Sequence, residues 1–204
     1  MEHQFIYNAH NILELFEGVR KFATFKNRLE KQALLNPVRY PTDKYLGDGF
    51  EFFIELMLTV FPCDKRMGVF DYKPVPEHED IGMDGIGVNI NNEPCAVQIK
   101  YKTDTTSELT ANRDRLGNFI TAAAHSGIVF DNQNPKNIRH FIFTTADSLH
   151  HYTDNEMFKN KVRCFGIKHI KEITDNNPIF WQKITEMVKT KYESILTEAE
   201  QSIH

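Results

Sequence analysis

The sequence predicts an α/β fold in which a mixed central β-sheet is flanked by helices. Two observations support this class. Segments with the 3.6-residue apolar spacing of helices alternate along the chain with short segments rich in β-branched and aromatic residues. The 204 residues, 41% of them hydrophobic and 25% charged, also carry enough apolar material for one compact domain, or for a core domain with a helical extension.

Two helices are predicted to open the chain. Apolar residues recur at helical spacing from about residue 11 to residue 34, and Pro37 follows this stretch. A second helix is predicted over residues 44–61, because an apolar stripe runs along it and Pro62 ends it.

The rest of the chain predicts strands mixed with helices. The polar, proline-interrupted residues 71–80 are interpreted as a loop, and residues 81–90 and 95–102 as two strands joined by a turn at 91–93. The later predicted elements are a helix at 109–125, strands at 140–145 and 162–167, and a final helix at 178–199. The expected order is α-α-β-β-α-β-(α)-β-α.

The predicted elements divide into three parts. Residues 1–43 form an N-terminal helical extension, residues 44–170 form the core, and residues 171–204 form a C-terminal helix packed on that core.

Charge and cysteine content narrow the class of protein. The net charge of -4 argues against a general basic coat for polyanions, but local patches set contacts with DNA phosphates. Cys63, Cys95 and Cys164 are widely spaced, as expected of reduced cysteines in the cytoplasm. No segment predicts a membrane span or a signal peptide. We therefore expect a cytoplasmic protein that does not bind membranes.

Two polar side chains share one face of the strand predicted at 95–102. Side chains alternate along a strand, so Gln98 and Lys100 lie on the same side. From alternation alone, the simplest interpretation is that this face meets solvent.

The register of the predicted strand pair decides whether an acid joins them. A three-residue turn at 91–93 places Asp84 opposite Lys100 and gathers Asp84, Gln98 and Lys100 on one side of the hairpin. A two-residue turn places Asp84 opposite Ile99 and separates it from this cluster.

A second acid is expected from the preceding helix. Glu51 lies about 100° around the helix from Phe50, at the edge of the apolar stripe. Asp48 lies nearly opposite the stripe and Glu55 lies farther out, so Glu51 is the acid best placed to face the sheet. In a helix taken alone, a glutamate at this edge is simply solvated.

These side chains suit phosphodiester hydrolysis. Mg²⁺ prefers oxygen ligands, which Glu51 and Asp84 offer as carboxylates and Gln98 as a carbonyl. Mg²⁺ or Mn²⁺ lowers the pKa of a bound water and offsets charge on the phosphate. Lys100 can orient the attacking water and stabilise charge in the transition state.

The same residues resemble the PD-(D/E)xK nuclease superfamily, and specifically its Mrr-like restriction-endonuclease branch. GDGFE at 47–51 is similar to the Phe-Glu helix of that branch. IGMDGI at 81–86 is similar to its Gly-x-Asp strand, and VQIKY at 97–101 to its Val-Gln-x-Lys strand. The resemblance covers about residues 45–150. It departs from the superfamily pattern where Met83 precedes the acid instead of Pro, and the N-terminal helix and the segment after about residue 162 match nothing in the pattern.

The resemblance implies a restriction-endonuclease-like core that cleaves double-stranded DNA with Mg²⁺ or Mn²⁺. Glu51 and Asp84 would be metal ligands, Gln98 an auxiliary ligand and Lys100 the catalytic lysine. Similar domains often sit at the front of helicase or methyltransferase polypeptides, and this chain has no GxxxxGK[ST] phosphate loop. We therefore expect a helicase or translocase as partner or fusion, and a homodimer where both DNA strands are cut.

Basic and hydroxyl side chains near the site are candidates for contacts with DNA phosphates. They are Lys73, Lys102, Thr105, Arg113 and Arg115. A solvated surface explains any single one of them equally well. Two alternatives to the enzyme stay open: a catalytically inactive DNA-binding or assembly module with this fold, and a protein in which the acids and the lysine form a plain ion-pair network.

Overall fold

The computed structural model describes residues 5, 9, 11–35, 37–60, 68–75, 82–109, 113–125, 138–150, 162–175 and 177–201. Contacts divide the chain into two compact units, one over Phe53–His169 and the other formed by Glu2–Phe52 together with Ile170–His204. We call them the sheet unit and the helical unit. Residues 2–52 and 170–204 thus belong to one unit by contacts. The predicted division into residues 1–43, 44–170 and 171–204 stays a prediction.

The sheet unit is built on a five-stranded mixed sheet in the order β1-β2-β3-β4-β5. Pairing is antiparallel between β1 and β2 and between β2 and β3, and parallel from β3 to β4 and from β4 to β5. The predicted mixed α/β fold is confirmed, and this arrangement is compatible with a restriction-endonuclease-like core. The strands are β1 Phe70–Pro74, β2 Gly85–Val88, β3 Pro94–Lys100, β4 Arg139–Thr144 and β5 Val162–Phe165.

One face of the sheet packs on α4, the helix Arg113–His125. Ala96 of β3 and Ile142 of β4 join Phe119 and Ala123 of that helix in a buried cluster. We call this side the α4 face. Because side chains alternate along β3, Gln98 and Lys100 lie on the same face as Ala96.

Strand β1 was not predicted, because residues 71–80 were interpreted as a loop. Phe70–Pro74 pairs with β2, with an irregularity between Phe70 and Lys73 where Asp71 adopts a φ of 49°. An edge strand tolerates such a bulge and a terminal proline, because no further strand needs the missing N–H group.

The loop between β2 and β3 is longer than the predicted three-residue turn. The Asn89 Oδ1 atom accepts hydrogen bonds from the backbone N–H groups of Asn91 and Glu93, at 2.9 and 2.8 Å. Asn92 adopts a φ of 58°. This side-chain bonding closes a five-residue loop at 89–93, so that Val88 lies opposite Pro94. The predicted strands at 81–90 and 95–102 are accordingly Gly85–Val88 and Pro94–Lys100.

The later elements follow the predicted order with shifted ends. The helix predicted from residue 109 begins at Arg113, and Leu109 forms an isolated parallel bridge with Leu149 instead. The bracketed helix between β4 and β5 falls on residues outside the described ranges. A short helix that was not predicted, α5 (Ile167–Thr174), follows β5.

In the helical unit the predicted helix at 11–34 is two helices, α1 (Ile12–Phe16) and α2 (Phe22–Ala33). They separate at Gly18, which adopts a φ of 67° that ends a helix. The predicted helix at 44–61 is α3, Thr42–Val60, of which residues 42–52 fall in the helical unit. The last helix of this unit is α6, Pro178–Gln201. Apolar spacing continues across the break at Gly18, which is why periodicity alone predicted one helix.

Contacts distant in sequence hold the helical unit together. The Asp175 carboxylate accepts a hydrogen bond from the Phe22 backbone N–H at 2.6 Å, at the start of α2. The buried Trp181 indole donates to the Thr174 carbonyl at 3.0 Å and packs near Phe25. Among the described helices, none combines the length and the apolar content that crossing a bilayer requires.

Candidate active site

An ion pair joins two of the predicted site residues. The Asp84 Oδ2 atom lies 3.4 Å from the Lys100 Nζ atom and accepts the Ile99 backbone N–H at 2.5 Å. The Asp84 side chain is 20% exposed and that of Lys100 is 44% exposed, so both charges lie at the boundary between protein and solvent. This position leaves them accessible to a polar substrate.

The predicted register that led to this pair was wrong by two residues. Gly85 lies opposite Val97, which sets Asp84 level with Gln98 and not with Lys100. A shift of two residues keeps every side chain on its original face, whereas a shift of one would reverse it. Asp84 therefore still meets Lys100, along the diagonal of the strand pair.

Three contacts hold the backbone around Asp84. Its N–H donates to the Val97 carbonyl at 3.0 Å, and its carbonyl accepts the Val75 N–H at 3.1 Å. The Tyr72 hydroxyl donates to the same carbonyl at 3.4 Å. The backbone of Asp84 is thus anchored on both sides, and its carboxylate is directed towards the Ile99 N–H of β3.

Tyr72 takes this position because residue 85 has no side chain. A Cβ atom on Gly85 would lie 2.2 Å from the Tyr72 Cε2 atom, far inside contact distance. Sequence analysis missed Tyr72 because its segment was interpreted as a loop. An aromatic residue lying over a glycine of the neighbouring strand is a recurrent pairing, but it can be recognised only once the strand is known.

The other two predicted site residues, Gln98 and Glu51, belong to different units of the chain. Gln98 is half-buried on the α4 face, level with Asp84 and opposite Ile142 of β4. Glu51 is half-buried on α3 within the helical unit. Its part in the site stays a prediction.

The carboxyl end of β3 is bonded to two threonines that sequence analysis did not single out. The Thr144 hydroxyl donates to the Lys100 carbonyl at 2.8 Å, and the Thr145 hydroxyl donates to the Lys102 carbonyl at 2.7 Å. The available signal was a pair of adjacent hydroxyl residues at the end of an apolar strand.

The predicted DNA contacts occupy several positions on the sheet unit. Lys73 is exposed on β1, Lys102 is exposed just beyond β3, and Thr105 is half-buried in the loop that follows. Arg113 and Arg115 lie in the first turn of α4. Their contacts with DNA stay predictions.

The donor set fits a hard divalent cation. Mg²⁺ is usually bound through one or two carboxylates and keeps several of its waters. The Asp84 carboxylate and the Gln98 amide oxygen are donors of this class, and they lie level on one face. No three His, Cys, Asp or Glu side chains within the described ranges come close enough together to hold a metal ion.

Of the three cysteines, Cys63 lies outside the described residues, and the two described ones do not offer a nucleophile here. Burial raises the pKa of the Cys95 thiol and of the Cys164 thiol to about 12. Both thiols are therefore protonated at neutral pH, and the thiolate is the reactive form. They act as packing residues.

Comparison with solved structures finds distant structural similarity. No protein-family model matches the chain, and no curated protein does. A structural neighbour is the crystal structure of a repair endonuclease from Pyrococcus abyssi, with 12% sequence identity and a TM-score of 0.31. The match covers 55% of this chain and 46% of the endonuclease. The match thus covers only part of each chain, and at this identity and TM-score it assigns no activity.

Proposed function

We propose that this chain is a metal-dependent endonuclease that hydrolyses phosphodiester bonds of double-stranded DNA, of the PD-(D/E)xK type and its Mrr-like branch. The observation that supports the proposal is the Asp84–Lys100 ion pair, with Gln98 on the same face at the end of β3. A carboxylate, an amide oxygen and an ammonium group close to the carboxyl end of the central strand β3 are groups that can serve this hydrolysis.

Asp84 and Gln98 would hold the metal, with Glu51 as a further ligand according to the family resemblance. When bound, Mg²⁺ or Mn²⁺ supplies a water of lowered pKa and charge neutralisation at the phosphate.

Lys100 has two tasks in this proposal. Its ammonium group carries three donors, which can orient the attacking water and contact a non-bridging phosphate oxygen. Its positive charge stabilises the negative charge that grows in the transition state. The Asp84 carboxylate, 3.4 Å away, holds the ammonium at the site before the substrate arrives.

The small contribution that such an ion pair makes to stability argues against a purely structural role. A partly exposed ion pair contributes about 0–1 kcal/mol to stability, because solvent screens it and ordering the side chains costs entropy. A pair as exposed as Asp84–Lys100 is therefore a weak device for holding two strands that already share backbone hydrogen bonds.

DNA is the proposed partner. A homodimer would supply one active site for each strand. A helicase or translocase, separate or fused, would deliver the substrate in systems of the kind that the resemblance indicates.

Plasmid cleavage with Mg²⁺ or Mn²⁺ tests the proposal. Wild-type protein should nick or linearise the plasmid, and Lys100→Ala or Asp84→Ala should slow cleavage by about 100-fold or more. The same assay on Glu51→Gln and Gln98→Ala tests the other two ligands. Lys168→Ala is the matched control, because Lys168 also pairs with an acid of the sheet unit, Asp147, at 2.9 Å.

Two other outcomes would replace the proposal. If the wild type binds Mn²⁺ in calorimetry but leaves every DNA form intact, the chain is an inactive module or acts only with a partner. If it binds no metal and Lys100→Ala only lowers the melting temperature, the ion pair is structural.

A further inference from the structure

Two adjacent threonines at the end of β4 lie beside the segment that carries the proposed catalytic lysine. Thr144 and Thr145 are both fully buried. Both hydroxyls bond to the backbone of the segment leaving β3. We call these two residues the hydroxyl clamp.

Each hydroxyl makes two hydrogen bonds. Thr144 Oγ1 donates to the Lys100 carbonyl at 2.8 Å and accepts the Ala146 N–H at 3.1 Å. Thr145 Oγ1 donates to the Lys102 carbonyl at 2.7 Å and accepts the Lys102 N–H at 2.5 Å. Both backbone groups of Lys102 are thus bonded to one side chain.

The hydroxyl clamp lies where regular pairing stops. The parallel ladder between β3 and β4 ends at Lys100 and Thr144. Beyond it, a weak backbone bond joins the Thr145 N–H to the Lys100 carbonyl at 3.4 Å. The threonine hydroxyls replace the ladder hydrogen bonds that are missing beyond Lys100. They hold the backbone in place as far as Lys102, two residues beyond the strand.

This ordering bears on Lys100 because strand ends are where backbone pairing opens most readily. A lysine on the last residue of a strand changes direction when the following peptide turns. With Lys102 bonded at both its N–H and its carbonyl, the backbone on the carboxyl side of Lys100 cannot rotate freely.

We propose that Thr145, supported by Thr144, is a positioning residue for cleavage. It holds the backbone from Lys100 to Lys102, which keeps the Lys100 ammonium beside the Asp84 carboxylate. The same hold fixes the direction of the exposed Lys102 side chain, which we expect to contact DNA phosphates. This inference rests on the proposed nuclease function.

Three variants of the full chain test it. Thr145→Val keeps the shape of the side chain and removes the hydroxyl, whereas Thr145→Ser keeps the hydroxyl. Thr174→Val is the matched control, since Thr174 is equally buried and its hydroxyl donates to the Ile170 carbonyl at 2.9 Å within the helical unit. All are compared well below their melting temperatures.

Two readouts are measured on each variant: the cleavage rate at saturating plasmid, and hydrogen exchange at the Lys102 amide by NMR. In Thr145→Val the amide should lose protection and the rate should fall on the order of 100-fold, as expected of a misplaced catalytic group. Thr145→Ser should retain both properties, and Thr174→Val should cleave at the wild-type rate.

Several results would overturn the inference. A folded Thr145→Val protein that cleaves at the wild-type rate removes the positioning role. Equal loss of rate in Thr145→Ser and Thr174→Val assigns the effect to stability. If the wild type itself does not cleave, the proposed nuclease function fails, and the positioning role of Thr145 in cleavage fails with it. Amide exchange then still shows whether the hydroxyl clamp holds Lys102.

Discussion

Glu93 illustrates, at the scale of a single residue, how side-chain charge supports the β2–β3 loop. Its carboxylate accepts hydrogen bonds from the Arg139 guanidinium at 3.1 and 3.4 Å and from the Asn89 amide at 2.5 Å. These bonds, that from Arg139 foremost and that from Asn89 next, lower the pKa of Glu93 below its ordinary value of 4.5.

A lowered pKa in the folded state makes stability depend on pH. The stabilisation is fully present above the unfolded value of 4.5 and is lost as the pH falls through the lower folded pKa. Glu93→Gln should therefore melt below wild type at pH 7, and the two melting temperatures should converge as the solution is acidified past this range. Thermal melts monitored by circular dichroism measure the gap.

The control for this prediction is Arg139→Gln. In that background Glu93 loses its largest cause of pKa lowering, so the pH-dependent gap should shrink. A gap of constant size at every pH would contradict the assignment.

At the scale of the element, α3 carries two glycines in different surroundings. A Cβ atom on Gly47 would have no neighbour within 4 Å. On Gly49 it would lie 2.4 Å from a Leu29 methyl and 2.9 Å from the Phe5 ring, and both side chains are fully buried. The GDGFE segment, one basis of the family resemblance, thus also serves close packing of helices within the helical unit.

These surroundings predict opposite effects of the same substitution. Gly47→Ala should stabilise the chain by about 0.5–1 kcal/mol, because alanine loses less backbone freedom on forming a helix. Gly49→Ala should destabilise it by about 1–3 kcal/mol through overpacking. Urea denaturation measures both values. If Gly49→Ala is at least as stable as the wild type, the close packing around Gly49 is not as described.

At the scale of the whole molecule, the net charge of the chain would affect how it approaches DNA. The chain carries a net charge of -4, so it is repelled by a polyanion at long range. Under the proposed function, binding relies on local cations such as Lys102, which is exposed just beyond β3. Counterion release makes such binding weaken as salt concentration rises.

The salt dependence of DNA binding tests this account. In the absence of divalent metal, Lys102→Ala should weaken binding to all duplexes alike and reduce the slope of log affinity against log salt by about one. Fluorescence anisotropy with a labelled duplex measures the slope. Lys183→Ala, an exposed lysine on α6 in the helical unit, is the control and should leave the slope unchanged. An unaltered slope in Lys102→Ala would remove Lys102 from the DNA contacts.

The sequence by itself determined the features that depend on neighbouring residues. Apolar spacing located α3, α6 and the central strands, because a helix or strand exposes a periodic face whatever its partners are. Alternation placed Gln98 and Lys100 on one face for the same reason. The acid and the lysine of the proposed site could therefore be named before their distance was known.

Tertiary structure decided the features that depend on residues far apart along the chain. The register that sets Asp84 level with Gln98 follows from the Asn89 side chain closing the loop, and β1 exists because β2 offers it an edge. The clamp of Thr145 on Lys102 joins residues 43 positions apart. Periodicity carries no information about such pairings, because they depend on which chain segments meet in space.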